Sequence, residues 1–91
     1  MYNTSMEELN YSKRLMRCFA IVSSTSDIRA KSDLFKIYTN CKNIYTELDR
    51  ESVECRRLKR TTVKYTELEQ KLDKSINEFE MWITFSRLKY V

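Results

Sequence analysis

Between Leu34 and Ile83 the chain reads LFKIYTNCKNIYTELDRESVECRRLKRTTVKYTELEQKLDKSINEFEMWI, with no glycine or proline anywhere in it. One heptad register runs through this stretch. Its a positions are Leu34, Cys41, Leu48, Cys55, Thr62, Glu69, Ile76 and Ile83, and its d positions are Ile37, Ile44, Glu51, Leu58, Tyr65, Leu72, Phe79 and Ser86. Twelve of these sixteen residues are apolar, against 42% hydrophobic residues in the whole chain. Apolar residues at that spacing form one stripe along a helix, and only another helix can cover such a stripe. The pattern predicts an all-α fold built on a long amphipathic coiled-coil helix that assembles into a helical bundle.

Working outward, nothing after Ile28 breaks a helix as strongly as a glycine or proline would, so one helix over 28–90 is the first expectation. It would be ~95 Å long at 1.5 Å per residue, with its stripe exposed over most of that length. The alternative is a helical hairpin closing near 61–66. There, the β-branched run Thr61-Thr62-Val63 weakens helix propensity, Thr66 and Glu69 have capping-box spacing, and Leu68 at a g position hints that the seam drifts. Upstream, Ser23-Ser24-Thr25-Ser26-Asp27 is a run of short polar side chains that compete for backbone hydrogen bonds and favour turns and caps. This places a turn at 23–27 and a shorter helix over about 5–22, started by Thr4 and Glu7 or by Ser5 and Glu8. The first helix carries Leu9, Tyr11, Leu15, Met16, Cys18, Phe19, Ala20 and Val22 on a broad apolar arc, opposite Asn10, Lys13, Arg14 and Arg17. Such an arc suits a helix lodged between two others. All 91 residues are read as one helical domain.

A chain of this size buries only ~60 to 65% of its unfolded surface, so a partner is the expected source of added stability. The absence of Gly and Pro makes hairpin turns and phosphate-cradling loops scarce, and the 33% of charged residues fits solvated helix faces. Cys18, Cys41 and Cys55 are odd in number and form no CxxC pair, and no secretory leader pattern opens the chain. A reducing compartment, cytoplasm or nucleus, is expected. The longest apolar run, Cys18 to Val22, is far short of the ~20 residues that span a bilayer. The net charge of +4 is mild and fits an acidic partner, a membrane surface, nucleic acid or plain solubility, so by itself it decides nothing.

The seam defines the expected interface: Leu34, Ile37, Cys41, Ile44, Leu48, Cys55, Leu58, Tyr65, Leu72, Ile76, Phe79 and Ile83. Glu51 and Glu69 interrupt it as a polar core. In a parallel in-register homodimer each would face its own copy, which repulsion and desolvation disfavour by several kcal/mol. An antiparallel pairing in which residue numbers sum to 113 sets Cys55 against Leu58, Cys41 against Leu72, and Glu51 against Thr62. It also brings the acidic Glu47, Asp49, Glu51 and Glu54 alongside the basic block of the partner, but leaves Glu69 opposite Ile44. A different protein offering Lys or Arg to both glutamates satisfies them best, so a hetero-oligomer is slightly favoured over an antiparallel homodimer.

No catalytic, cofactor or metal site is expected. The chain has no histidine to act as a base near neutral pH, and no glycines for a P-loop or dinucleotide fingerprint. Glu67 and Glu69, like Glu78 and Glu80, point ~200° apart on a helix and do not converge on a small-molecule substrate. Cys41 and Cys55 lie ~20 Å apart on one helix and read as small core residues rather than zinc ligands. The cluster Arg56, Arg57, Lys59, Arg60 and Lys64 reads first as a solvated or salt-bridging face, and next as a phosphate contact or import signal. Trp82, Phe85 and Tyr90 read as interface anchors or as packing for the first helix. The function expected is that of a non-enzymatic assembly or adaptor subunit that pairs with partner helices, with a nucleic-acid-binding accessory as the alternative.

Overall fold

The computed structural model describes the backbone of residues 4–89 and the side chains of residues 10–85. The fold is all-helical, with α1 (Thr4–Ser24), α2 (Ile28–Leu58) and α3 (Val63–Lys89). No strand occurs among the described residues. The Thr4–Glu7 and Ser5–Glu8 capping assignments, the place of Leu9 on the first helix's arc and the anchor role of Tyr90 fall outside the described residues and side chains.

The first break lies at 25–27. Thr25 Oγ1 donates back to the Ile21 carbonyl at 2.7 Å and Ser24 Oγ to the same carbonyl at 3.2 Å, so both hydroxyls compete for the carbonyl ends of α1. Asp27, extended at φ −73° and ψ 119°, then caps α2 by accepting the Ala30 N–H at 2.9 Å.

The second break corrects the expectation of one continuous helix over 28–90: α2 stops at Leu58 and α3 begins at Val63. Lys59 takes the left-handed conformation (φ 56°, ψ 37°), its N–H reaches the Arg56 carbonyl, and the Arg60 N–H reaches the Cys55 carbonyl at 3.1 Å. This pair of bonds satisfies the last carbonyls of α2, as in a Schellman ending. A residue with a Cβ pays ~1–2 kcal/mol to sit there, so the turn must be held from outside itself. Thr62 does the holding. Its Oγ1 accepts the Tyr65 N–H at 3.2 Å as the cap of α3 and donates to Glu51 Oε1 at 2.8 Å across the hairpin, while its backbone N–H points at Cys55 Sγ at 3.5 Å. The cap is therefore Thr62 and not Thr66, whose hydroxyl instead bonds back to the Thr62 carbonyl inside the helix.

With the turn closed, α2 and α3 run antiparallel. Asn40 Nδ2 meets Ser75 Oγ at 3.3 Å, a pairing close to the one fixed by Glu51 and Thr62. The pairing expected between two chains is thus made within one. α2 buries Leu34, Cys41, Leu48, Ser52 and Cys55, and α3 buries Tyr65, Leu68, Leu72, Ser75, Ile76 and Phe79. α1 adds Leu15, Cys18 and Val22 to the same core. Ser52, fully buried, satisfies its hydroxyl on the Asp49 carbonyl at 2.6 Å. The molecule measures 49 × 18 × 18 Å, so its long axis is about that of α2 alone, ~46 Å at the helical rise.

α1 is fastened to α3 by Arg14, whose guanidinium donates to Asp73 Oδ1 at 2.8 Å, Asn77 Oδ1 at 3.2 Å and Glu80 Oε1 at 3.4 Å. Partial burial works against the Arg14 charge, but the bond to Asp73 and the fields of Glu80 and Asp73 outweigh it and leave the pKa raised. The ring of Tyr11 lies 5.9 Å from the same guanidinium.

Replacing Thr62 by Ala removes the α3 cap and strands the half-buried Glu51 carboxylate, and should cost about 1–2 kcal/mol in urea unfolding. Thr62→Ser keeps the hydroxyl and should recover most of that loss. An alanine variant as stable as the parent would show that the hydroxyl does not hold the turn.

Candidate functional site

The seam residues expected to face another chain are largely consumed by this one. Leu34, Cys41, Leu48, Cys55, Tyr65, Leu72, Ile76 and Phe79 are buried in the core, and Ile37, Ile44 and Ile83 are half-buried against it. Leu58 departs from the register: it is 38% exposed, because the chain leaves the helix at that point. Of the two polar interruptions, Glu51 accepts from Thr62 and lies 4.0 Å from Lys64 Nζ, while Glu69 is half-buried on α3. The demand for a partner's cation at Glu51 is met inside the chain. Trp82 is half-buried against the core, whereas Phe85 and its neighbour one turn back, Met81, remain exposed.

What the seam leaves uncovered is a groove between α1 and α2, on the flank of α1 opposite Arg14. It is lined by Ser12, Leu15, Met16, Phe19, Tyr38, Lys42 and Tyr45 and encloses about 400 Å³. Met16 is 69% exposed, Phe19 53% and Phe35 54%, a large share for such side chains. The rings of Phe19 and Phe35 both pack on that of Tyr38, with centroids 5.6 Å and 6.5 Å away. The groove follows from spacing. Lys31, Phe35, Tyr38, Lys42 and Tyr45 are separated by four, three, four and three residues and so form a second stripe on α2 beside the buried one. Sequence reasoning placed Met16 and Phe19 on the broad arc of α1 but did not join them to Tyr38 and Tyr45. The excess breadth of that arc was the signal.

The basic residues Arg56, Arg57, Lys59, Arg60 and Lys64 are all exposed and are gathered at the α2–α3 turn, one end of the rod. Arg57 is paired with Glu54, whose carboxyl is held below its usual pKa by that hydrogen bond, and Lys64 leans toward Glu51. Arg56, Lys59 and Arg60 make no ion pair with any described residue. Arg56 and Arg57 also sit in the last turn of α2, where cations suit the helix dipole.

Cys18, Cys41 and Cys55 are buried free thiols, and no group of three or more Cys, Asp or Glu among the described residues is placed to hold a metal ion. No helix among the described residues is long and apolar enough to cross a membrane. Comparison with family models, with curated proteins and with solved structures finds no match in any of the three.

Burial pushes the Cys18 and Cys41 thiols up to about 11, with the carboxylate of Glu80 adding to the first and the neighbouring Cys18 to the second. A raised folded-state pKa means that the folded chain holds these protons where the unfolded chain, with thiols near 9.0, has lost them. Stability should therefore be intact below pH 9 and fall between pH 9 and 11. A Cys18→Ala/Cys41→Ala variant should show a shallower fall of melting temperature over that range than the parent. Equal slopes would show that the two thiols titrate alike in both states.

Proposed function

We propose that this chain is a non-enzymatic assembly or adaptor module whose α1–α2 groove receives a helix from another protein, completing a four-helix bundle. The observation that carries this reading is a contrast within one molecule: the seam is closed internally, while Met16, Phe19 and Phe35 stay in solvent around a groove bordered by two antiparallel helices. Exposed aromatic and methionine side chains around a concavity are what an amphipathic helix buries when it docks. The finer reading of α2 against α3 as coiled-coil packing draws support from the seven-residue spacing of Leu34, Cys41, Leu48 and Cys55, and of Tyr65, Leu72 and Phe79. Hetero-assembly is favoured because a two-fold dimer through this groove would set the lysine-bearing surface against its own copy. Three reduced, buried cysteines are in keeping with a cytoplasmic or nuclear setting.

A photo-crosslinking residue at Phe35 should capture another protein in cells that make this chain, whereas one at the exposed Gln70 on α3 should not. Phe19→Asp should abolish the capture and weaken binding of the captured protein at least ~30-fold, a hot-spot loss of ~2 kcal/mol, with unchanged helix content by circular dichroism. Capture of the same protein equally from both positions would defeat the reading.

A second reading is favoured by Arg56, Lys59 and Arg60, the cations at the hairpin tip that make no ion pair among the described residues: a nucleic-acid-binding accessory that grips phosphates end-on. Reversing these three charges to Glu should abolish a salt-dependent affinity for DNA or RNA while leaving the groove intact. A parent chain with no such affinity at low salt would eliminate this role.

A further inference from the structure

The structure assigns the α1–α2 groove a particular kind of occupant: an amphipathic helix from another protein, about three turns of which contact the groove, with aspartate or glutamate flanking its apolar face. This deepens the docking role proposed above and rests on it. Among the described residues Lys42 is the one charged side chain lining the groove. A second lysine, Lys31, continues the α2 stripe one turn before Phe35. Both are exposed, and neither forms an ion pair with a described residue.

Of the described carboxylates, Asp73 and Glu80 face Arg14 on the opposite flank of α1, Glu47 and Glu78 line the α2–α3 side, and Asp27, one turn before Lys31, accepts the Ala30 N–H as the cap of α2. The groove therefore offers an apolar floor with cations along its α2 rim and no described carboxylate in its lining. An apolar helix lacking acidic flanks would leave both lysines uncompensated, and a basic one would be repelled. The span also sets a length. From Lys31 to Lys42 is ~16 Å along α2, so acidic residues two to three turns apart on the occupant would meet both. Met16 and the tilted rings of Phe19, Phe35 and Tyr38 can adjust to apolar residues at i, i+3 or i+4, and i+7, and the lysine stems can lie over them.

The test uses the full chain and two synthetic helical peptides with the same leucine stripe, one flanked by Glu and one by Lys. Binding is followed by fluorescence anisotropy and by the NMR shifts of groove residues. The Glu peptide should bind at least tenfold more tightly than the Lys peptide, lose that advantage as salt is raised, and exchange preference with it in the Lys31→Glu/Lys42→Glu variant. Both exposed lysines can be reversed without touching the core, and Phe19→Asp should abolish binding of either peptide. Equal binding of the two peptides in parent and variant would overturn the acidic partner while leaving the groove as a docking surface. Absence of groove shifts with either peptide, with no effect of Phe19→Asp, would overturn both. A dimer by light scattering that Phe19→Asp dissolves would give the groove to a second copy of this chain and overturn the acidic partner as well.

Discussion

The Thr62 hydroxyl is the point on which the architecture turns, because it belongs to two helices at once. It caps the start of α3 by accepting the Tyr65 N–H and reaches across to Glu51 on α2, so the direction of one helix is referred to the other. The turn it closes contains no glycine, and Lys59 bears the left-handed conformation at a steric cost. That cost is tolerable because closure buries the facing stripes of α2 and α3 together, with eight large or medium side chains reduced to near-zero exposure. Without closure, the same stripes would lie on a rod about twice as long and remain in water.

Why the seam was legible and the turn was not follows from what a heptad pattern reports. Periodicity names the face that is buried, and Cys41, Leu48, Leu72 and Ile76 lie on that face whether the neighbour is another chain or the same chain returning. The antiparallel pairing of Glu51 with Thr62 was readable for the same reason, since only side-chain chemistry and register enter it. Whether the partner was internal depended on the four residues 59–62, whose usual signals are missing. A glycine at position 59 would have announced the left-handed ending, and lysine there hides it. The β-branched run at 61–63 was a true signal of weakness, but Thr66 and Glu69 offered a competing cap. Thr62 prevails because its hydroxyl can accept the Tyr65 N–H and reach Glu51 at once, whereas that of Thr66 bonds back into the helix.

The first helix shows the same limit from another side. Its broad apolar arc implied two neighbours, and α2 and α3 are both there, with Arg14 serving one flank and Leu15, Cys18 and Val22 the core. The arc is nevertheless wider than those neighbours cover. Met16 and Phe19 stay largely exposed, and their counterparts on α2, Phe35 and Tyr38, occupy a stripe displaced from the seam by one residue. A linear reading ranks such residues by nearness to a or d positions and discards the remainder. The groove is made of that remainder.

Charge then separates the two flanks of α1. On the α3 side, Arg14 draws in Asp73, Asn77 and Glu80, so acidic groups are used to hold the bundle together. On the α2 side, Lys31 and Lys42 make no ion pair with a described residue and stand beside the exposed Met16, Phe19 and Phe35. Phe19 and Phe35 pack on Tyr38 at the margin of the core, yet about half of each side chain remains in solvent. The docking role proposed for the groove rests on this asymmetry: one flank of α1 is closed by ion pairs within the chain, and the other leaves aromatic rings and lysines in solvent.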